Sequence, residues 1–371
     1  MTRSVRWLLV SALGLGVACS KSEAPAEPAP APAVEQAVVQ APSAPALREK
    51  AKALFGTLPA VAEHKDRPIT DEKVALGRVL YHETRISKNH DLSCATCHAL
   101  DAFGIDPRPE AVQKGTSAGH KGAFGDRNTP TVYNAAIQFA QFWDGREPDV
   151  EAQAKGPVLN PVEMAMADDT SVVGVLESIP GYAPLFKAAF PDAAKPITYD
   201  NFGAAIGAFE RKLMTPGPID AFLAGKDDAL TEQQLRGLDT FITGGCIACH
   251  SGPGFGGSMF QKLGLIKPYP TKDEGRFKVT KNEADKYFFK VPTLRNVAKT
   301  APYFHDGSVK TLAEAVAIMS EHQTATGRLP DDKIADVVAF LGALTGEPDP
   351  NLIKVPELLE SGPKTPKPDP N

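Results

Sequence analysis

Hydrophobic residues recur at helical spacing along much of the chain. Between Thr70 and His82, Leu76, Val79 and Leu80 share one face, which predicts a helix. From Tyr199 to Leu213, one stripe carries Phe202, Ala205, Ile206, Phe209 and Leu213. Leu312, Ala315, Val316 and Met319 repeat at i, i+3, i+4 and i+7, and so do Ile334, Val337, Val338 and Leu341. Thr231-Glu232-Gln233-Gln234 has the form of a capping box and opens a helix running towards Cys246. No long alternating strand is present. Gly/Pro-rich loops, notably Asp101–Arg127 and Gly252–Phe277, separate the periodic segments. The predicted fold class is all-α, mainly helical with long loops.

Both ends lack core-forming pattern. Arg3 and Arg6 precede an apolar run of 11 residues, Trp7–Val17. That is too short to span a bilayer, which takes ~20 residues, and it reads as a secretory signal. Leu15-Gly16-Val17-Ala18-Cys19 resembles a lipobox, with Gly16 where leucine is common. The expectation is cleavage before Cys19, lipidation of its thiol, and a periplasmic, membrane-tethered protein; ordinary cleavage nearby is the competing reading. Ser20–Ala46 holds 6 Pro and 9 Ala in 27 residues, an extended tether. The last 26 residues hold 7 Pro and are expected to be poorly ordered. The expected organisation is signal peptide 1–18, tether 19–46, an N-terminal domain 47–213, a C-terminal domain 214–345 and a Pro-rich tail 346–371.

Net charge is -5, and -7 once residues 1–18, with Arg3 and Arg6, are removed. This balance argues against nucleic acid as a partner. The five cysteines are more telling. Cys94-Ala95-Thr96-Cys97-His98 and Cys246-Ile247-Ala248-Cys249-His250 repeat one motif 152 positions apart, and Cys19 stands alone. Cys-x-x-Cys-His is the attachment signature of c-type haem: two thiols form thioethers and the adjacent histidine reaches the iron. His98 and His250 are then the proximal ligands. A thioredoxin-like pair would call for one motif beside a βαβ pattern, and zinc sites are possible in principle. Two full motifs in an exported helical chain favour two covalent haems, one in each of two cytochrome c-like domains. A large planar cofactor also gives the long loops something to wrap around.

The sixth iron ligands decide between catalysis and electron transfer. His120 sits in the small-residue loop Ser117–Gly122. Taken alone it reads as a solvated histidine before it reads as a displaceable ligand. Met319 lies on an apolar helical stripe and reads first as core, although a thioether is a good haem ligand. Met259 and Met164 are rivals. Glu163, in Asn160-Pro161-Val162-Glu163-Met164, is a lone acid among apolar neighbours whose pKa could be raised. By itself it reads as a rim carboxylate.

Taken together, the segments resemble bacterial di-haem cytochrome c peroxidases over roughly Pro68–Leu344. The matching text includes Val74–Tyr81, Ser93–His98, Gly119-His120, Arg127–Ala135, Gln141–Arg146, Gln153–Pro157 and Asn160–Met164. In the second half it includes Gly245–His250, Val291–Val297, Ala301–Gly307 and Ala315–Met319. The resemblance implies roles that spacing does not show. His120 becomes the distal ligand of the peroxidatic haem, Glu163 the acid/base at peroxide, and Gln153 its supporting amide. Met319 becomes the axial ligand of the electron-accepting haem, and Trp143 the residue between the haems. Asn128, with the backbone oxygens of Thr300 and Pro302, becomes a calcium site.

The implied reaction is reduction of hydrogen peroxide to water with electrons from a small donor protein, a cytochrome c or a cupredoxin. Reduction of the second haem, with calcium bound, would release His120. The resemblance also implies a homodimer. Two rivals remain. One is a di-haem enzyme of the same superfamily that oxidises a partner protein, a group with a tyrosine rather than Met319 as second axial ligand. The other is a non-catalytic electron carrier, which would need neither Glu163 nor Gln153.

Overall fold

A computed structural model describes residues 43–371. The signal segment, Cys19 and the tether through residue 42 lie outside the described residues.

The predicted helices form with ends set by local chemistry. Helix α1 spans Ala44–Phe55 and α2 spans Asp71–Tyr81. The Thr70 side chain caps α2 by accepting from the Lys73 amide, and Asp71 and Glu72 complement the helix dipole. Helix α3 is Tyr199–Glu210, capped by Thr198, and α4 is Glu232–Thr243. Thr231 and Gln234 complete the capping box expected from the sequence. Helices α5, Leu312–Gln323, and α6, Asp331–Gly342, match the last two stripes. The only sheet among the described residues pairs β1, Phe260–Lys262, antiparallel with β2, Phe288–Lys290.

Two apolar cores underlie this fold. One draws on buried residues between Leu76 and Leu213, centred on α2 and α3. The other joins α4 and α6 through Leu238, Phe241, Val337 and Phe340. Helix α1, grouped with the N-terminal half in the sequence reading, instead buries Leu47, Ala51 and Phe55 in this second core. There Phe55 stacks on Phe255 with centroids 4.1 Å apart.

Each core is organised around a glycine that lets two helices touch. A Cβ at Gly77 on α2 would lie 1.9 Å from the Ala205 carbonyl oxygen on α3. A Cβ at Gly237 on α4 would lie 1.9 Å from the Asp336 carbonyl oxygen on α6. Both helix pairs therefore cross at backbone contact, which any side chain larger than hydrogen prevents.

The C-terminal tail differs from expectation. Leu352, Ile353 and Leu359 pack against the first core. Arg85 donates to the Leu359 carbonyl (2.8 Å) and the Ser361 hydroxyl (2.8 Å), and the Asp369 amide donates to the Lys88 carbonyl (2.9 Å). A Pro-rich strap cannot build its own core, but three apolar anchors and borrowed donors are enough to dock it.

Candidate functional site

The first Cys-x-x-Cys-His motif forms one helical turn, Cys94–Cys97. The Ser93 amide donates to Thr96 Oγ1 (2.9 Å), and His98 terminates the turn. His98 Nδ1 lies 3.2 Å from the Gly104 carbonyl and donates to it, which leaves Nε2 as the nitrogen that can ligate. The His98 carbonyl accepts from the Tyr81 hydroxyl (2.6 Å). The second motif repeats the device: His250 Nδ1 lies 3.0 Å from the Phe255 carbonyl. Burial holds both imidazoles neutral, His250 down to about 4, as metal ligation requires.

The thiols fit thioether formation better than the competing readings. Burial pushes Cys94 up to about 12, and Cys97 and Cys246 to about 11, so they lack the thiolate character of a redox pair. All four are free, and among the described residues no group of three or more His, Cys, Asp or Glu is placed to hold a metal ion.

A cavity is lined by Cys246, Cys249 and His250 and by Met319 of α5. Its remaining walls are mostly apolar, including Phe241, Leu294, Val316 and Leu341. Two thiols, an oriented imidazole and a thioether around an apolar cleft are a donor set that fits a covalent haem. Trp143 lines the same cavity and donates from Nε1 to the Asn128 carbonyl (2.8 Å).

At the first motif the structure brings together residues far apart in sequence. The His120 amide donates to the Glu163 carbonyl (2.8 Å). Gly119 fits there because a Cβ would lie 2.1 Å from the Val162 carbonyl oxygen. Arg108 ties this loop to the haem attachment site, donating to the Ala118 carbonyl (2.8 Å) and reaching Cys97 Sγ (3.4 Å). Asp106 holds the Arg108 guanidinium (2.6 Å). Neither residue was singled out from the sequence, where an Asp-x-Arg in a loop carries no distinctive signal.

Glu163 is half-buried. Desolvation raises its pKa, opposed by the Arg146 charge and by a hydrogen bond from Asn160 Nδ2 to Oε1 (2.8 Å). Gln153 ends the helical turn Val150–Gln153, which Asp149 caps by accepting from the Ala152 amide. Asn128 and Pro302 meet across 174 positions of sequence: Asn128 Nδ2 donates to the Pro302 carbonyl (2.6 Å) and to that of Phe304 (3.2 Å). Thr300 lines the adjoining cavity.

The structure also exposes a second repeat, offset by 162 positions. Pro130-Thr131-Val132-Tyr133-Asn134 answers to Pro292-Thr293-Leu294-Arg295-Asn296, and Phe142-Trp143-Asp144-Gly145 to Phe304-His305-Asp306-Gly307. The left-handed residues correspond: Asn134 (φ 58°) with Asn296 (62°), and Phe142 (65°) with Phe304 (68°). Asn134 and Asn296 are fully buried, and each donates to Thr215 Oγ1, at 2.7 and 2.9 Å. The shared signal in the sequence is Pro-Thr-x-x-Asn, too short to stand out without the structure.

Comparison with known proteins agrees with this geometry. Residues 71–228 match the family described as di-haem cytochrome c peroxidase. The chain is 45% identical to the cytochrome c551 peroxidase of Pseudomonas aeruginosa, over 88% of this chain and 93% of that protein. It is 42% identical to the cytochrome c551 peroxidase of Nitrosomonas europaea, over 82% and 88%. The methylamine utilization protein MauG of Methylorubrum extorquens is 36% identical over 80% and 85%. Among solved structures, a MauG-like protein associated with microbial copper homeostasis superposes with a TM-score of 0.69 at 31% identity, over 81% of this chain and 96% of that one. Two haem-attachment turns with oriented histidines, a Met319-bearing cleft and near full-length similarity make this chain a member of the di-haem cytochrome c peroxidase family.

Proposed function

We propose that the chain is a cytochrome c peroxidase that reduces hydrogen peroxide to water with two electrons from a small redox protein. The observation that carries this reading is the hydrogen bond joining the His120 loop to the Glu163 backbone. It supports reading His120 and Glu163 as one site beside Cys97, and a pure electron carrier needs no such pair.

When bound, the two haems supply redox-active iron: one to take peroxide, the other to accept electrons singly. The protein's own groups do the rest. His98 and His250 present Nε2 because their Nδ1 atoms are occupied by backbone carbonyls. Met319 gives the second site a thioether, which raises its potential relative to a second imidazole and favours electron entry there. His120, between Gly119 and Gly122, vacates the first site when that site opens. Glu163 takes the proton from the inner peroxide oxygen and returns it to the outer one, so that water leaves. Asn160 fixes the carboxyl, and the resemblance makes Gln153 the supporting amide at the peroxide. Trp143 lies along the electron route between the sites.

Calcium at Asn128, Thr300 and Pro302 would join the two segments that the Asn128–Pro302 hydrogen bond brings together. The ligand chemistry is suitable, since amide and backbone carbonyl oxygens are hard donors. Lipidation at Cys19, a periplasmic location and a homodimer complete the proposal, supported by the sequence pattern and the resemblance. Mass spectrometry of the mature chain and light scattering test these points.

The activity is tested by steady-state oxidation of a reduced cytochrome c by peroxide, with calcium and after half-reduction. Two cytochromes oxidised per peroxide is the expected stoichiometry. No turnover under these conditions would leave the carrier or the partner-oxidising enzyme.

A further inference from the structure

The cavity around Cys246, His250 and Met319 has an unusual charge balance. Among the described residues lining it, Lys290 is the only Asp, Glu, Lys or Arg. Lys290 closes strand β2 and is 7% exposed. Its ammonium donates to Gln138 Oε1, and Gln138 lines the same cavity. Its backbone amide donates to the Trp143 carbonyl (2.8 Å), so the charge sits on a strand pinned to the tryptophan. Of the other cations around β2, Arg127 is neutralised by Asp144 and Asp273, both at 2.6 Å, and Arg276 lies over the Phe260 ring and donates to the Asp144 and Gly145 carbonyls.

A buried ammonium facing an apolar cleft with only an amide for company is costly unless a charge arrives to match it. A haem brings two carboxylates, its propionates, into any pocket it fills. We propose that Lys290 is the counter-ion of a propionate on the haem attached at Cys246 and Cys249, and that it holds that haem's reduction potential up. The electrostatics agree. In the chain alone burial pushes the Lys290 pKa down to about 8, with no carboxylate opposing the shift. Reduction of a ferric haem adds one negative charge, so a fixed cation beside it favours the reduced state. Lys290 is a positioning and tuning residue and takes no proton in the reaction. It would bias electron entry towards the Met319 site, alongside the thioether.

The proposal rests on the two-haem reading, so haem content comes first: a wild-type chain without two covalent haems would sink that reading. With both haems present, spectroelectrochemistry and resonance Raman test Lys290 itself. Lys290→Gln should lower the one-electron equilibrium constant for reducing the Met-ligated haem about tenfold, or 59 mV. It should also shift that haem's propionate bending band, and Lys290→Arg should restore both. In the wild-type holoprotein, whatever the fate of the variants, the same band should move on exchange into D2O, because the contact is an N–H donor. An unmoved band in the wild type overturns the contact. An unchanged potential in a fully loaded Lys290→Gln variant overturns the tuning. A lowered potential with an unchanged band assigns the charge a through-space effect and likewise overturns the counter-ion.

Discussion

Replacing Glu163 by glutamine separates its charge from its architecture. Gln keeps an oxygen to accept from Asn160 Nδ2, at 2.8 Å in the wild type, and leaves the backbone carbonyl that receives the His120 amide. The loop should therefore stay in place while the only group proposed to carry the proton is lost. Positioned general acid–base catalysis is worth about 10²–10⁴ in rate, or roughly 2.7–5.4 kcal/mol of barrier. Turnover should fall by that factor with haem content and the resting spectrum unchanged. The pH profile adds a second signature. Burial raises the Glu163 pKa, and the carboxylate form is the one that accepts the first proton. Wild-type kcat/KM should then fall as pH drops through a value above the ordinary 4.5, and Glu163→Gln should lack that limb. Steady-state peroxidase assays between about pH 4.5 and 8 read both effects. A loaded Glu163→Gln enzyme that turns over within threefold of wild type would refute the assignment.

Other perturbations reach different parts of the molecule. His120→Gly should convert the first haem from low to high spin without prior reduction, and an unchanged low-spin spectrum would argue against His120 as ligand. Glu210 is 4% exposed and raised from 4.5 to about 8 by burial, so the native state keeps a proton that the unfolded chain loses. Stability should fall as pH rises from about 4.5 to 8. Glu210→Gln should remove this penalty: no change near pH 4, and at pH 7 a gain of at most roughly 3 kcal/mol, from ~1.36 kcal/mol per pH unit. Thermal unfolding across pH checks it. Asp220→Ala strands the fully buried Arg295, which donates to both carboxylate oxygens at 2.9 and 2.8 Å; a loss of about 3–5 kcal/mol is expected by denaturant titration. Gly77→Ala and Gly237→Ala should each destabilise by about 1–3 kcal/mol or more, since the new methyl meets backbone rather than a side chain that can move.

The sequence carried the helices because their faces are periodic and their caps are local: Thr231 caps where its capping box predicts, and Thr70 and Thr198 cap through the same side-chain chemistry. It carried the haem attachment turns because the chemistry dictates a contiguous motif. What it hid was set by contacts distant along the chain. Gly77 and Gly237 sit within ordinary helical runs, and only the partner helix shows why they are glycine. The Pro-Thr-x-x-Asn repeat becomes visible through two left-handed asparagines converging on Thr215. The tail looked unable to order itself, which is true of its composition alone; its anchors are Arg85 and the first core. Of the candidate site, His120 and Glu163 were separable only by resemblance, because the bond that joins them spans 43 positions and uses backbone atoms.

A single-turnover experiment tests the central claim most directly. The fully reduced holoprotein, with calcium and no external donor, is mixed with one equivalent of hydrogen peroxide. Two haems hold the two electrons that one peroxide consumes. Both reduced absorption bands should disappear together with the peroxide. Bands that stay reduced while the peroxide remains would contradict a peroxidase and leave the chain an electron carrier.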